Sequence, residues 1–415
     1  MSSSLENIEK TRTSTQSKRI WMAIVLGTLA AFAPLSIDMY LPALPDIAKE
    51  FHTNTSLVQL SLTFFLLGLS LGQLLAGPFS DVRGRRKPLL IGLMIYFVAS
   101  LLCVFSQSIW GLILLRFIQG LAGAAGIVIS RAIVRDLYSG SELTKFFALL
   151  ALVNGVAPVL APIVGGQLLR IAPWQGVFMV LSMIGLVMFL IVLFGLPETL
   201  SHESRSLGGI KNTLITFQKL ILNRSFMGYA LSQGLVFSAM FAYISGSPFV
   251  LQNIYGVSPQ MFSLIFAING IGIIIASQIT GRMAGRISEK KLFKVGIGIS
   301  SIGSLTLLIM LLLNAGLYAI LLPLFFVVSS VGVVSTSGFS LAMQDQGKSA
   351  GSASALLGVI SLIFGGSVAP LVGLGENQAL SMGIVIAICG VGSFLCYVCL
   401  VNRRQNRSRG NTISM

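Results

Sequence analysis

Gly77-Pro78-Phe79-Ser80-Asp81-Val82-Arg83-Gly84-Arg85-Arg86-Lys87 is a short polar island between two apolar runs, near 56–79 and 88–106. Each flank has the ~20 apolar residues that a membrane-crossing helix needs. The island itself is too charged for lipid and long enough only for a turn, which Gly84 permits. Its bases suit an anchor at the membrane surface, but an anchor accounts for neither Asp81 nor the glycines. Working outward from this turn, the same alternation of apolar run and polar break recurs along the chain. It predicts twelve spans, near 20–42, 56–79, 88–106, 109–131, 145–168 and 174–196, then 224–251, 259–281, 292–313, 316–342, 350–374 and 378–401. Barrel strands would alternate polar and apolar residues over ~10 positions, and these runs do not. The fold class is therefore an all-α integral membrane protein.

Composition supports this. Of 415 residues, 54% are hydrophobic and 10% charged, with a mean hydropathy of +0.88. Soluble domains carry roughly 25% charged residues, and so hydrophobic a chain does not stay disordered. The net charge of +15 and pI of about 10.1 raise the question of nucleic acid, yet the bases are few and separated by long apolar runs. Their placement explains them. Twenty-five of the 28 Lys and Arg fall in the two tails and the even-numbered connections, Lys49 and Arg170 fall on the other side, and Arg116 lies within a span. The positive-inside rule then puts both termini in the cytoplasm and requires an even number of spans. The stretch ending Ala31-Phe32-Ala33 resembles a signal-peptide cleavage site, but the apolar run continues past it. Cys103, Cys389, Cys396 and Cys399 all fall in spans and read as packing residues, since His52 and His202, in distant loops, complete no metal or redox set.

The longest connection, from Pro197 to about Asn223, divides six spans from six. The expected domains are an N-terminal half at 1–200, a linker at 201–223, a C-terminal half at 224–401 and a basic tail at 402–415. The halves echo one another: Gly281 to Lys291 repeats the opening Gly and closing Lys of the 77–87 island 204 residues later, with Lys290 answering Arg86. Parallel six-span repeats belong to a transporter architecture whose site lies between the halves near mid-membrane.

Two residues break the apolar rule. Asp38 is the one acid and Arg116 the one base expected inside spans. A charge at the bilayer centre costs about 2.5–3.5 kcal/mol on insertion scales, and such residues usually mark pathways. By helical rise, the pair lie roughly 6 and 9 Å below the outer boundary, so they can pair or share a water-filled cavity. Three readings remain open: Asp38 simply reaches outer water, the two form a structural bridge, or they load and release a proton. Gln119 lies close enough along the helix to hydrogen-bond Arg116.

The island carries every fixed position of the Gly-x-x-x-Asp-x-x-Gly-Arg-Arg-Lys pattern, and here the chain resembles the major facilitator superfamily. The resemblance implies twelve helices in two halves, and a cytoplasmic gate of Gly77, Asp81, Gly84, Arg85, Arg86 and Asp136. In that gate Asp81 would meet the positive N-terminus of span eleven and Arg85 would pair with Asp136. Arg116-Phe117-Ile118-Gln119-Gly120 resembles the Arg-x-x-Gln-Gly motif of proton-coupled members. Asn154 to Gly166 resembles the antiporter motif of span five through Gly155, Pro158, Pro162, Gly165 and Gly166, with Ala157 where a Gly is common. Ser36-Ile37-Asp38-Met39-Tyr40-Leu41-Pro42 and Gly351 to Gly358 are similar to the Bcr/CflA drug-resistance branch. That branch implies a proton-driven exporter in the bacterial inner (plasma) membrane, using no cofactor and working as a monomer. Asp38 and Arg116 would couple protons, and Tyr40, Gln119, Asn154, Gln233, Phe237 and Tyr243 would line the substrate cavity.

The partners expected are a small-molecule substrate, protons and the lipid bilayer, with no nucleic acid. Proton-coupled uptake of a metabolite is the alternative. An enzyme would need a nucleophile–base or metal constellation at one depth, and the spans offer none. A pore would need a charged ring that Asp38 alone does not make, and no Walker-type phosphate loop is present for ATP drive.

Overall fold

The computed structural model describes residues 20–201, 217–344, 346 and 350–402. The N-terminal tail, the central linker from 202 to 216, Lys348 and the basic tail from 403 lie outside the described residues. Among the described residues the chain is almost entirely helical, with eleven helices long and apolar enough to cross a membrane and one bent pair that supplies a twelfth. After span one, they are Thr55–Arg83, Arg86–Val104, Ile109–Leu137, Gly140–Leu168 and Gln175–Gly195, then Arg224–Phe249, Pro259–Met283, Glu289–Leu312, Leu317–Met343, Ala350–Val372 and Gln378–Tyr397. These are spans two to twelve below.

Several helices outrun the apolar stretch that predicts them, and at the basic face. Span two continues to Arg83 and span four to Leu137, while span five starts at Gly140. Intrahelical hydrogen bonds need no lipid around them, so helix persists past the last apolar residue. Pro78 is accommodated within the helix. At the opposite face, Asn54, Ser108, Ser258 and Asn377 accept the backbone N–H three residues on, capping spans two, four, eight and twelve and satisfying donors a helix start leaves free.

Span one is the exception to regularity. Ile20–Ala30 meets Phe32–Glu50 at 46°, and the second segment is itself interrupted after Asp38 by a 3-10 turn, Leu41–Ala43, before Leu44–Glu50. Pro42 and Pro45 open the turn and the last helix, where a missing N–H costs least.

The packing divides the molecule along its depth. Near the face opposite the bases, one apolar cluster draws on both halves, joining Leu62, Phe65 and Phe178 to Phe241, Tyr243 and Val372. Toward the basic face the core separates into two. One holds Leu29, Leu93, Ile133 and Phe146 of the N-terminal half, the other Tyr229, Phe293, Val334 and Tyr397 of the C-terminal half. Hydrogen bonds between halves gather at the joined end: Gln59 Nε2 to the Ser245 carbonyl (3.0 Å), Thr63 Oγ1 to Gly366 (2.8 Å), Gln252 Nε2 to Pro42 (3.2 Å) and Gln260 Nε2 to Gly166 (2.9 Å).

Candidate functional site

Span four is set by its glycines. A Cβ at Gly120 would sit on the Phe65 carbonyl, and one at Gly68 on that of Phe117, so spans two and four cross backbone to backbone. That crossing lays the Phe65 ring 4.3 Å from the Arg116 guanidinium, with the Tyr40 ring at 4.8 Å and the Phe178 ring at 5.7 Å. Faces of aromatic rings attract a cation without hydrogen-bonding it. The polar partners complete the setting: Arg116 Nη1 donates to Gln119 Oε1 (2.5 Å) and Nη2 to the Ser36 carbonyl (3.0 Å). Gln119 Nε2 donates to Ser100 Oγ (2.7 Å), and Tyr96 shares a hydrogen bond with Ser36 Oγ (2.7 Å). Spans one, three and four are thus closed into one network around a fully buried Arg116.

The pairing of Asp38 with Arg116 that their depths allow is not made. The helix Phe32–Asp38 ends there, its last carbonyls have lost their helical donors, and Arg116 takes the one at Ser36. Asp38 is only 5% exposed, which overturns the reading that it reaches outer water. Among the described residues its carboxylate has no hydrogen-bond or ion-pair partner. Tyr243 of span seven, across the boundary between the halves, lies within its electrostatic range. Tyr243 in turn accepts a hydrogen bond from Asn269 of span eight (2.8 Å) and stacks on Phe266.

The expected cavity residues do not assemble as one lining in this conformation. Tyr40 and Gln119 have no exposure at all; Tyr40 is engaged by Ser61 (3.0 Å) and Gln119 by Arg116 and Ser100. Asn154 donates back to Leu150 of its own helix (2.8 Å). Gln233 is buried with Oε1 unpartnered, and Phe237 is half-buried. A small pocket of about 10 Å³, room for no more than one water, does lie between the halves, but Ile37, Leu62, Leu66, Phe241, Ile244, Ser245 and Ala369 line it. Those belong to spans one, two, seven and eleven, and spans four and five, which carry Gln119 and Asn154, contribute none. The helix-bend motif acts through its glycines: a Cβ at Gly165 would strike the Met39 carbonyl in the break of span one, and one at Gly166 would strike Ser263 of span eight. Gly155 faces Ile274 at ordinary contact distance, and Pro158 and Pro162 lie inside the helix.

At the basic face, Gly84 has φ +86°, a left-handed conformation that a side chain resists. This turn aims Arg85 inward. Its Nε donates to Asp136 Oδ2 (2.8 Å), and Nη1 bonds Ser80 (2.9 Å) and Asp81. The Arg85–Asp136 pair agrees with the expectation. Asp81 instead turns to Arg85, while the segment entering span eleven at 347–349 lies outside the described residues. Gly77 does no more than face Val128. Arg86 donates to the Leu193 carbonyl (2.5 Å). Sequence reasoning missed Glu198, whose carboxylate accepts the backbone N–H groups of Arg85 (2.7 Å) and Arg86 (3.2 Å) and so caps span three from outside. Burial pushes this carboxyl up, but the N–H groups of Arg85, Leu200, Arg86 and Thr199 outweigh it and hold it below the usual value. Its one sequence signal was an acid directly after the proline that closes span six. Tyr96 and Ser100, polar residues one turn apart in an apolar span, carried a similar signal.

This broken first span, buried charge network and two-half scaffold define a membrane transporter. The profile described as Major Facilitator Superfamily matches residues 26–370, and the chain belongs to that superfamily. An uncharacterized MFS-type transporter, YdgK, of Bacillus subtilis (strain 168) is 46% identical over 396 residues, covering 95% of this chain and 98% of that one. A bicyclomycin resistance protein homolog of Haemophilus influenzae (strain ATCC 51907 / DSM 11121 / KW20 / Rd) is 31% identical over 388 residues, covering 93% and 97%, consistent with the Bcr/CflA-type resemblance. Among solved structures, a bacterial homolog of the human lysosomal transporter Spinster, inward-facing and occupied, superposes with a TM-score of 0.72 at 16% identity. It covers 94% of this chain and 97% of that one, a likeness of fold. The protein is a multi-pass transporter of the bacterial plasma membrane, not an enzyme.

Proposed function

We propose that the protein exports small amphipathic compounds or drugs in exchange for protons, by alternating access between its halves. One observation carries this reading: Asp38 is a buried carboxylate without a partner, at the end of a broken helix facing the other half. Holding it ionised there is expensive, so a proton or a substrate hydrogen-bond donor must take its place before the halves rearrange. That requirement makes exchange obligatory. With the basic face and both termini in the cytoplasm, the conformation joined at the opposite face is inward-facing. Substrate would enter between the two separate cores, beside Gln233, Phe237 and Tyr243, as Asp38 releases its proton inward. Arg116 holds the break of span one in shape rather than carrying the proton. Asp81, Arg85, Arg86 and Asp136 would form the cytoplasmic gate. No cofactor and no second copy are required. One proton entering down ~100 mV and one pH unit supplies about 2.3 and 1.4 kcal/mol, which sustains a gradient of a few hundredfold for a neutral compound.

Everted vesicles test the direction and the coupling together. An exporter accumulates an added antibiotic when the lumen is acidified, and the compound dissipates the pH gradient. Asp38→Asn should abolish both while the protein still reaches the membrane. Undiminished proton-driven accumulation in that variant overturns the role of Asp38, and accumulation only in right-side-out vesicles would establish uptake instead.

A further inference from the structure

Proline in a helix removes one backbone bond, the one its missing N–H would have made to the carbonyl four residues back. Pro370 lies inside span eleven, and the carbonyl it leaves without that donor is Gly366. Thr63 of the opposite half donates to this oxygen (2.8 Å). Gln59, one turn earlier on span two, donates to the Ser245 carbonyl (3.0 Å), in the stretch of span seven just before Pro248. At the end of span five, the turn N–H groups of Leu169, Arg170 and Ile171 go to Gly165, Gln167 and Leu168. They skip Gly166, whose carbonyl accepts from Gln260 of span eight (2.9 Å). These three acceptors are thus backbone oxygens, one freed by a proline, one close before another and one at a helix end, and their donors are uncharged side chains. In a dry interface such an oxygen costs free energy unless something donates to it.

We propose that these bonds are the latch that keeps the face opposite the bases shut, and that Thr63 is its positioning residue because Pro370 creates the oxygen it holds. Pro370 then has a second use beyond bending its helix: it exposes an acceptor for the other half. Opening breaks the latch without moving any charge, so its strength is independent of the coupling residue. The side on which it opens rests on the orientation proposed above.

The test is a double-mutant cycle in the full-length protein in membranes, with the native cysteines replaced. Leu66→Cys, buried between the halves one turn deeper than Thr63, is the reporter, labelled by a membrane-impermeant maleimide added separately to spheroplasts and to everted vesicles. Thr63→Val removes the donor at constant shape and should raise the labelling rate in spheroplasts roughly two- to tenfold, the worth of one hydrogen bond; Thr63→Ser keeps the donor and should label like the parent. Pro370→Ala supplies Gly366 with an internal donor, so adding Thr63→Val to it should change labelling little further. Unchanged labelling in Thr63→Val, or a full undiminished increase when it is added to Pro370→Ala, overturns the latch. Should Pro370→Ala fail to reach the membrane, the contrast between valine and serine decides alone. A rate increase seen only in everted vesicles keeps the latch and overturns the orientation instead.

Discussion

The two halves carry equivalent turns at the basic face and use them differently. Gly84 has φ +86° and Gly285 has φ +85°, so the chain reverses through a glycine of the same positive φ after spans two and eight. The first turn is two residues long, between helices ending at Arg83 and starting at Arg86; the second runs from Ala284 to Ser288. The sequence echo, aligned 204 residues apart, places Asp81 opposite Gly285, whereas the turn glycines stand 201 apart. The short turn forces Arg85 inward, onto Asp136, Asp81 and Ser80. The longer one leaves Arg282, Gly285 and Arg286 exposed, and its acid, Glu289, accepts from Ser340 of span ten instead (2.8 Å). A repeated scaffold therefore carries a largely buried ion-pair cluster in one half and, in the other, a set of exposed bases.

Arginine should show this contrast most strongly. Arg85→Ala leaves the mostly buried Asp136 without its ion pair and should cost about 2 kcal/mol. That is below the 3–5 kcal/mol of fully buried pairs, because Asp81 is half exposed. Arg286→Ala should stay within about 0.5 kcal/mol. Thermal unfolding of the detergent-solubilised protein measures both, and equal losses would break the asymmetry. Next in size, Gly84→Ala and Gly285→Ala share a left-handed penalty of roughly 1–2 kcal/mol. Only the first should also slow transport, because only that turn aims a buried guanidinium. If both slow it equally in vesicle uptake assays, the second turn is a gate as well.

The smallest effect concerns Glu198 and depends on pH. Its carboxyl is held below the usual value in the folded protein, so its stabilisation is fully present above the unfolded-state value, about 4.3. It is lost as pH falls through the lower folded value. Glu198→Gln should therefore be less stable than the parent at neutral pH and converge with it under strong acid. A gap that widens on acidification would contradict the cap on span three.

Much of this architecture was legible in the sequence because hydropathy sums along the chain. Twelve runs, the 77–87 turn and the closeness of Gln119 to Arg116 follow from local composition and helical spacing, and the Arg85–Asp136 pair from the resemblance of the 77–87 motif to its superfamily. The failures share a different origin. Asp38 and Arg116 have the right depth and opposite charge, yet a free backbone carbonyl and three aromatic faces outcompete the carboxylate for the guanidinium. Tyr40 and Gln119 have the right spans, but the glycine-mediated crossing of spans two and four packs that region shut. Glu198 caps a helix more than a hundred residues away, which no periodicity signals.

The sequence by itself determined that this chain spans the membrane twelve times, that its bases mark one face, and that Asp38 and Arg116 are its costly interior charges. Those properties are sums over residues, largely independent of who neighbours whom. Tertiary structure alone decided which partner each charge takes, what answers the carbonyl that Pro370 exposes, and which end of the two halves is joined. Hydrogen bonds and backbone crossings are settled over differences of an ångström or less, and only the packed chain sets distances on that scale.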